Sequence, residues 1–246
     1  MKEQTVPPSP LDWKSPAYQA DDFFAWVANL KILRGQQVVQ EIPNLEEVVA
    51  AYRERIQGLS PSLFVSDGQI FSIRIHLDPM GNYYDVSWDV ERLKETVRKK
   101  KLKPFLVPVK EPTGEVDWDY AKQMENGEPI LMVDYMPTKE VIIVDGNHRM
   151  AKRYMENPRG LIQGYILSPY DQSLCFCSDL YLHWFMVHHN INTMMNYILG
   201  NTRELLVGDS SKLRFASVPV QGFHDPRWLS FLFPIEPLPK VPIRRL

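Results

Sequence analysis

The stretch Glu140 to Glu156, EVIIVDGNHRMAKRYME, constrains this chain more than any other. Val141, Ile142, Ile143 and Val144 are β-branched and consecutive, which suits a strand buried on both faces. Asp145, Gly146 and Asn147 break that run, and Met150, Ala151, Tyr154 and Met155 then recur at helical spacing. A strand must therefore turn sharply into a helix. Gly146 suits a positive φ in such a turn, and Asp145 or Asn147 has the short polar side chain of an N-cap. The turn delivers His148 and Arg149 to the first helical turn, where free N–H groups and the helix dipole favour an anion. Alone, Arg149 would more simply pair with a carboxylate and His148 would cap or hydrogen-bond in the core. Together on one strand-to-helix turn, they point to a phosphate or carboxylate site.

Around this unit the pattern of a small α+β core is legible. Phe105 to Val109 reads as a strand whose Pro108 argues for an edge or a strand end. Asp117 to Asn126 reads as a short helix ended by Gly127, with Trp118, Ala121 and Met124 as core contacts. Ile130 to Val133 and Leu161 to Leu167 supply two more strands, the last closed by Ser168-Pro169. The order is β-α-β-β-α-β, with a mixed sheet.

The flanks divide the chain into residues 1–102, 103–168 and 169–246. The first segment opens on a Pro-rich arm, Met1 to Ala20, which suits packing across the body or contact with a second copy in a homodimer. Helices are expected from Asp21 to Leu33, from Asn44 to Gly58 and from Asp89 to Lys101. A hairpin is expected from Ile70 to Trp88, turning around Pro79 to Asn82. This makes an N-terminal α/β extension. The last segment begins with a long helix capped by Ser178 or Asp179 and running to Leu199, apolar almost all round, so it should be buried in the fold or in a partner. From Pro219 the chain reads as an extended Pro-rich tail.

Charge and cysteine usage narrow the function classes. The net charge of −2 gives no global case for nucleic acid, which leaves only the local basic run Arg98-Lys99-Lys100-Lys101 and Lys103. Cations at a helix C-terminus are also favourable on dipole grounds alone. Cys175 and Cys177 are one residue apart; strand geometry would point both the same way with Cα atoms about 6–7 Å apart, which disfavours a disulfide. Free thiols fit a reducing cytoplasm. No signal-type or spanning apolar run is legible, so no membrane role is expected. His183, His188 and His189 lack the spacing and acidic neighbours of a metal site, and packing is the simpler reading.

ENGEPILMV at Glu125 to Val133 and VDGNHRMAKRY at Val144 to Tyr154 resemble the ParB N-terminal/sulfiredoxin superfamily, over residues 103–168. The turn pattern D-G-x-H-R-x-x-A carries the resemblance. It implies a nucleotide site for ATP or CTP, usually with Mg²⁺, with Gly146 allowing close backbone approach and His148 and Arg149 meeting phosphate oxygens. Asn147 stands where sulfiredoxins place their catalytic cysteine, so their thiol chemistry is impossible here. Partitioning ParB proteins follow this unit with a helix-turn-helix, and none is legible after Pro169.

The leading expectation is thus a nucleotide-binding protein with NTPase or phosphotransferase activity. Asp145 could cap the turn, approach Mg²⁺ indirectly or orient His148. Lys110, Glu111 and Glu115, in the loop after the first strand of the core, are assigned by loop position: a phosphate contact for Lys110, a base or metal ligand for the carboxylates. A DNA-processing enzyme or nuclease, prompted by the basic run, and a non-catalytic interaction module, prompted by the apolar helix, are the alternatives.

Overall fold

The structure is a computed structural model describing residues 18–28, 41–42, 45–59, 68–113, 116–124 and 127–201, with backbone alone for 205–207, 231–232 and 243–245. The arm before residue 18, Asn44, Glu115 and nearly all of the Pro-rich tail lie outside the described residues.

The described residues form an α+β fold with seven helices. A short strand β1 (Tyr18–Gln19) precedes α1 (Asp21–Ala28) and α2 (Leu45–Gln57). Strands β2 (Ile70–His76) and β3 (Tyr83–Asp89) make the expected hairpin, with Ile75 opposite Tyr84, and β1 joins β3 on its other side. The hairpin turn is held by Asp78, whose Oδ1 accepts from the backbone N of Met80 at 2.8 Å while Oδ2 accepts from Asn82 Nδ2 at 2.7 Å. Helix α3 (Val90–Lys100) follows directly, with Asp89 accepting from the Arg92 N–H as N-cap and Lys101 in the left-handed region as C-cap.

The second sheet is built from β4 (Phe105–Pro108), β5 (Ile130–Tyr135), β6 (Glu140–Asp145) and β7 (Leu161–Leu167), in the order β4-β7-β5-β6. Strands β5 and β7 are parallel and the other pairs antiparallel, so the sheet is mixed. β4 lies at an edge, where the missing N–H of Pro108 does least harm. The helices α4 (Trp118–Gln123) and α5 (Asn147–Glu156) complete the expected β-α-β-β-α-β order. The α4 core is narrower than expected: Ala121 is buried, whereas Trp118 is 41% exposed. This six-residue helix lies against α5 and presents only its small residue to the interior.

Both faces of this sheet are covered. Ile130, Met132 and Ile143 pack with Met150 of α5 in a small cluster. Leu131, Val133, Tyr135, Ile142 and Val144 alternate with them and join a larger core. That core is completed by α1, α2, β3 and the 20-residue helix α7 (Asp179–Ile198). Trp184 of α7 stacks on Tyr84 with ring centroids 4.9 Å apart, and Ser178 caps the helix. Most of the apolar circumference of α7 is therefore covered by the chain's own elements, with Leu182, Met186 and Met195 partly buried. Between β7 and α7 lies α6 (Pro169–Ser173), so Ser168-Pro169 not only closes the strand but also starts a helix. Ser168 is its N-cap and Pro169 its first residue, a pairing as typical of a helix start as of a turn. Short backbone segments β8 (Leu205–Val207), β9 (Phe231–Leu232) and β10 (Ile243–Arg245) form a small parallel sheet in the order β10-β8-β9.

Candidate functional site

β6 ends at Asp145, and Gly146 turns the chain with φ +93°. A Cβ there would lie 2.7 Å from Ile130 Cγ2 and 2.9 Å from Arg149 Nε, so glycine is required both by dihedral and by space. Neither proposed side chain caps α5: Gly146 occupies the N-cap position with no side-chain hydrogen bond. The two side chains are drawn elsewhere by stronger partners. Asp145 Oδ2 accepts from Arg149 Nη2 at 3.2 Å and lies 3.4 Å from Lys94 Nζ of α3. Asn147 accepts from the backbone N of Thr113 at 2.9 Å and donates to the backbone O of Ile143 at 2.9 Å. It thereby ties the loop after β4 to β6.

His148 and Arg149 diverge. His148 Nε2 accepts from the Asp117 N–H at 3.3 Å, and its ring meets Tyr120 edge-on at 5.0 Å. Arg149 runs the other way; its side chain is 7% exposed. Nη1 donates to the backbone O of Glu128 at 3.1 Å and lies 3.6 Å from that residue's carboxylate. The two residues thus stand on different sides of the first turn of α5. Lys110 Nζ donates to the backbone O of Val141 at 2.6 Å, bracing β6. Glu111 is exposed at the surface, and Glu115 lies outside the described residues.

Arg149 opens onto a cavity of about 420 Å³. Its lining combines Arg149, Lys152 and Arg153 of α5 with Leu106 of β4 and Leu161, Ile162 and Gln163 of β7. Glu128 and Glu156 stand at its margins, Glu156 being 3.2 Å from Arg153. A second cavity of about 340 Å³ lies beside it, lined by Lys94, Arg98, Asp145, Tyr165 and again Glu128. Lys152, Arg153 and Glu128 escaped the sequence reading. The signal for the first two was present, since positions three and four after Arg149 share its helix face.

Other features of the sequence resolve as structure. Lys99 pairs with Glu95 at 2.9 Å and Lys100 pairs with Asp171, which neutralises part of the basic run. His188 is buried, and Tyr84 Oη bridges its Nδ1 at 3.0 Å to Tyr135 Oη at 2.5 Å. Burial pushes the His188 pKa down to about 3, with His189 adding to the effect, so its ring is neutral. Cys175 and Cys177 are free and buried, and burial pushes the Cys177 thiol up to about 12. Among the described residues no three His, Cys, Asp or Glu side chains are grouped to hold a metal ion, and no helix is long and apolar enough to cross a membrane. Comparison with protein-family models, with curated proteins and with solved structures gives no match to this chain.

Proposed function

We propose that this chain binds a phosphate-bearing small molecule of the nucleotide class, ATP or CTP, in the Arg149 cavity and the adjoining turn. The observation that carries the reading is the mixed lining of this cavity. Three cationic side chains of one helix line, together with Leu106, Leu161 and Ile162, a cavity of about 420 Å³, within the range of about 300–1,000 Å³ usual for small-ligand sites. Arg149 and Arg153 present planar guanidinium groups suited to phosphate oxygens, and Lys152 adds a point charge. Leu106 and Leu161 are 59% and 55% exposed, and a flat apolar ring laid over them would remove that surface from water. Mg²⁺ would arrive on the phosphates, since this ion keeps most of its water and needs few protein carboxylates.

Binding is the activity this reading rests on. Hydrolysis or phosphoryl transfer is its extension, in which positioning and charge neutralisation would supply the catalysis. One motive of each alternative weakens: the basic run is partly paired, and most of α7 packs within the chain. We place the protein in the reducing cytoplasm on the strength of its two buried thiols.

Titration calorimetry with ATP, CTP and GTP, with and without MgCl₂, tests the reading, and a phosphate-release assay tests turnover separately. The double substitution Lys152→Ala and Arg153→Ala should weaken binding by about tenfold or more, because charge-assisted contacts are the strong ones. Folded protein that binds none of the three nucleotides, or a double variant with unchanged affinity, overturns it.

A further inference from the structure

We propose that Asp145 is a positioning residue for the nucleotide site, its carboxylate holding the Arg149 guanidinium in the orientation in which a phosphate meets it. The inference rests on the nucleotide reading above and adds to that site a residue that lines the neighbouring cavity.

Arg149 is anchored on both terminal nitrogens of its fork. Nη2 donates to Asp145 Oδ2 at 3.2 Å, and Nη1 donates to the backbone O of Glu128 at 3.1 Å. Two anchors on two nitrogens fix both the direction and the roll of the planar group, whereas either alone leaves it free to swing. A Cβ on Gly146 would stand 2.9 Å from Nε and 2.9 Å from Nη2, so the guanidinium lies directly against the turn. Asp145 is held in its turn. Lys94 of α3 stands 3.4 Å from the same Oδ2, and the carboxylate is 20% exposed. Three elements, α3, β6 and α5, thus meet at one oxygen.

A guanidinium carries five N–H groups, and these two bonds use two of them. The others are what a phosphate in the Arg149 cavity would engage. An arginine that a ligand must immobilise loses side-chain freedom on binding. Here that freedom is already lost on folding. The Asp145 carboxylate has an opposite effect as well, because its negative charge beside the site repels an anion. A role limited to electrostatics therefore predicts tighter binding once the charge is gone, whatever replaces it. A positioning role predicts that the replacement matters, since an amide oxygen still accepts from Nη2 and a methyl group does not.

Calorimetry with ATP and MgCl₂ on the full chain separates the two, comparing wild type with Asp145→Asn and Asp145→Ala, which carry the same charge. Thermal melts certify the fold, and Asp145→Leu, with the amide's shape but no acceptor, replaces the alanine variant if that one does not fold. Asp145→Asn should bind ATP at least as tightly as wild type. Asp145→Ala should bind about threefold to tenfold more weakly than Asp145→Asn, the scale of immobilising one long side chain on binding. In an Arg149→Ala background, where Lys152 and Arg153 remain, the two replacements should bind alike. Equal affinities with Arg149 present, or an undiminished gap without it, overturn the role of Asp145 and leave the nucleotide reading standing. Wild-type protein that binds no ATP removes both.

Discussion

Gly146→Ala puts the geometry of the strand-to-helix turn to a quantitative test, because a second glycine supplies an internal control. Gly146 has φ +93° and Gly81 has φ +97°, so an alanine at either position carries nearly the same backbone penalty, about 1–2 kcal/mol. Their surroundings differ. A Cβ on Gly81 meets nothing within 4 Å, whereas one on Gly146 meets Ile130 Cγ2 at 2.7 Å and Arg149 Nε at 2.9 Å. Ile130 is fully buried and cannot give way without disturbing the small cluster beneath α5. Overpacking of this kind costs about 1–3 kcal/mol. Urea denaturation followed by tryptophan fluorescence should therefore show Gly81→Ala destabilised by about 1–2 kcal/mol and Gly146→Ala by about 2–5 kcal/mol. The difference reports the clash alone. If both variants lose the same stability within about 0.5 kcal/mol, the close packing of Ile130 and Arg149 on the turn is wrong.

Two further substitutions follow from the contacts. Asn147→Ala removes both hydrogen bonds that tie the loop after β4 to β6 and should cost about 1–3 kcal/mol in denaturant melts. Asn147→Asp keeps the acceptor for Thr113 but sets a carboxylate against the Ile143 carbonyl, so it should be no better; wild-type stability in both variants would show that the brace is not made. His188 titrates at about 3 in the folded chain against about 6.5 unfolded, so the unfolded state binds the extra proton and acidification from 6.5 towards 3 favours unfolding. Asp134, raised to about 6 by burial, acts in the opposite sense between 3.8 and 6, because there the folded state holds the extra proton. The readout is therefore a difference: between pH 4 and 6 the stability of wild type should fall, relative to His188→Gln, by up to about 1.4 kcal/mol per pH unit. Parallel pH profiles would refute a neutral, water-shielded His188.

What could be read in the sequence was what local periodicity encodes. The run Val141 to Val144 has its alternate residues on two separate cores, as a β-branched stretch without polar alternation implies. Gly146 was legible because a tight turn between two periodic segments leaves few residues able to take it. The partners of the turn were not legible, because they come from distant residues: Lys94 from α3, Thr113 from the loop after β4 and Glu128 from before β5. The divergence of His148 and Arg149 was hidden for the same reason. Helical geometry separates neighbours by about 100°, but which side each takes is decided by Asp117 and Glu128. Trp118 misled because a large apolar residue in a short helix reads as core, whereas only Ala121 of α4 is buried.

The turn also depends on the rest of the chain energetically, and residues 103–168 expressed alone should not fold. In the whole chain, Leu131, Val133, Tyr135, Ile142, Val144 and Leu167 are each no more than 3% exposed, and all six pack in the core completed by α1, α2, β3 and α7. Removing those elements uncovers six apolar side chains at about 1.5–3 kcal/mol each, or about 9–18 kcal/mol. That matches or exceeds the whole net stability of a typical domain, about 5–15 kcal/mol. The loss extends to the site, since Lys94 goes with α3 and Asp145 is left with Arg149 as its one remaining ion-pair partner among the described residues. The fragment should bind a hydrophobic dye, lack near-ultraviolet circular dichroism and unfold without a cooperative transition. A fragment that melts cooperatively and binds nucleotide with wild-type affinity would show that the second face of the sheet can close without its cover.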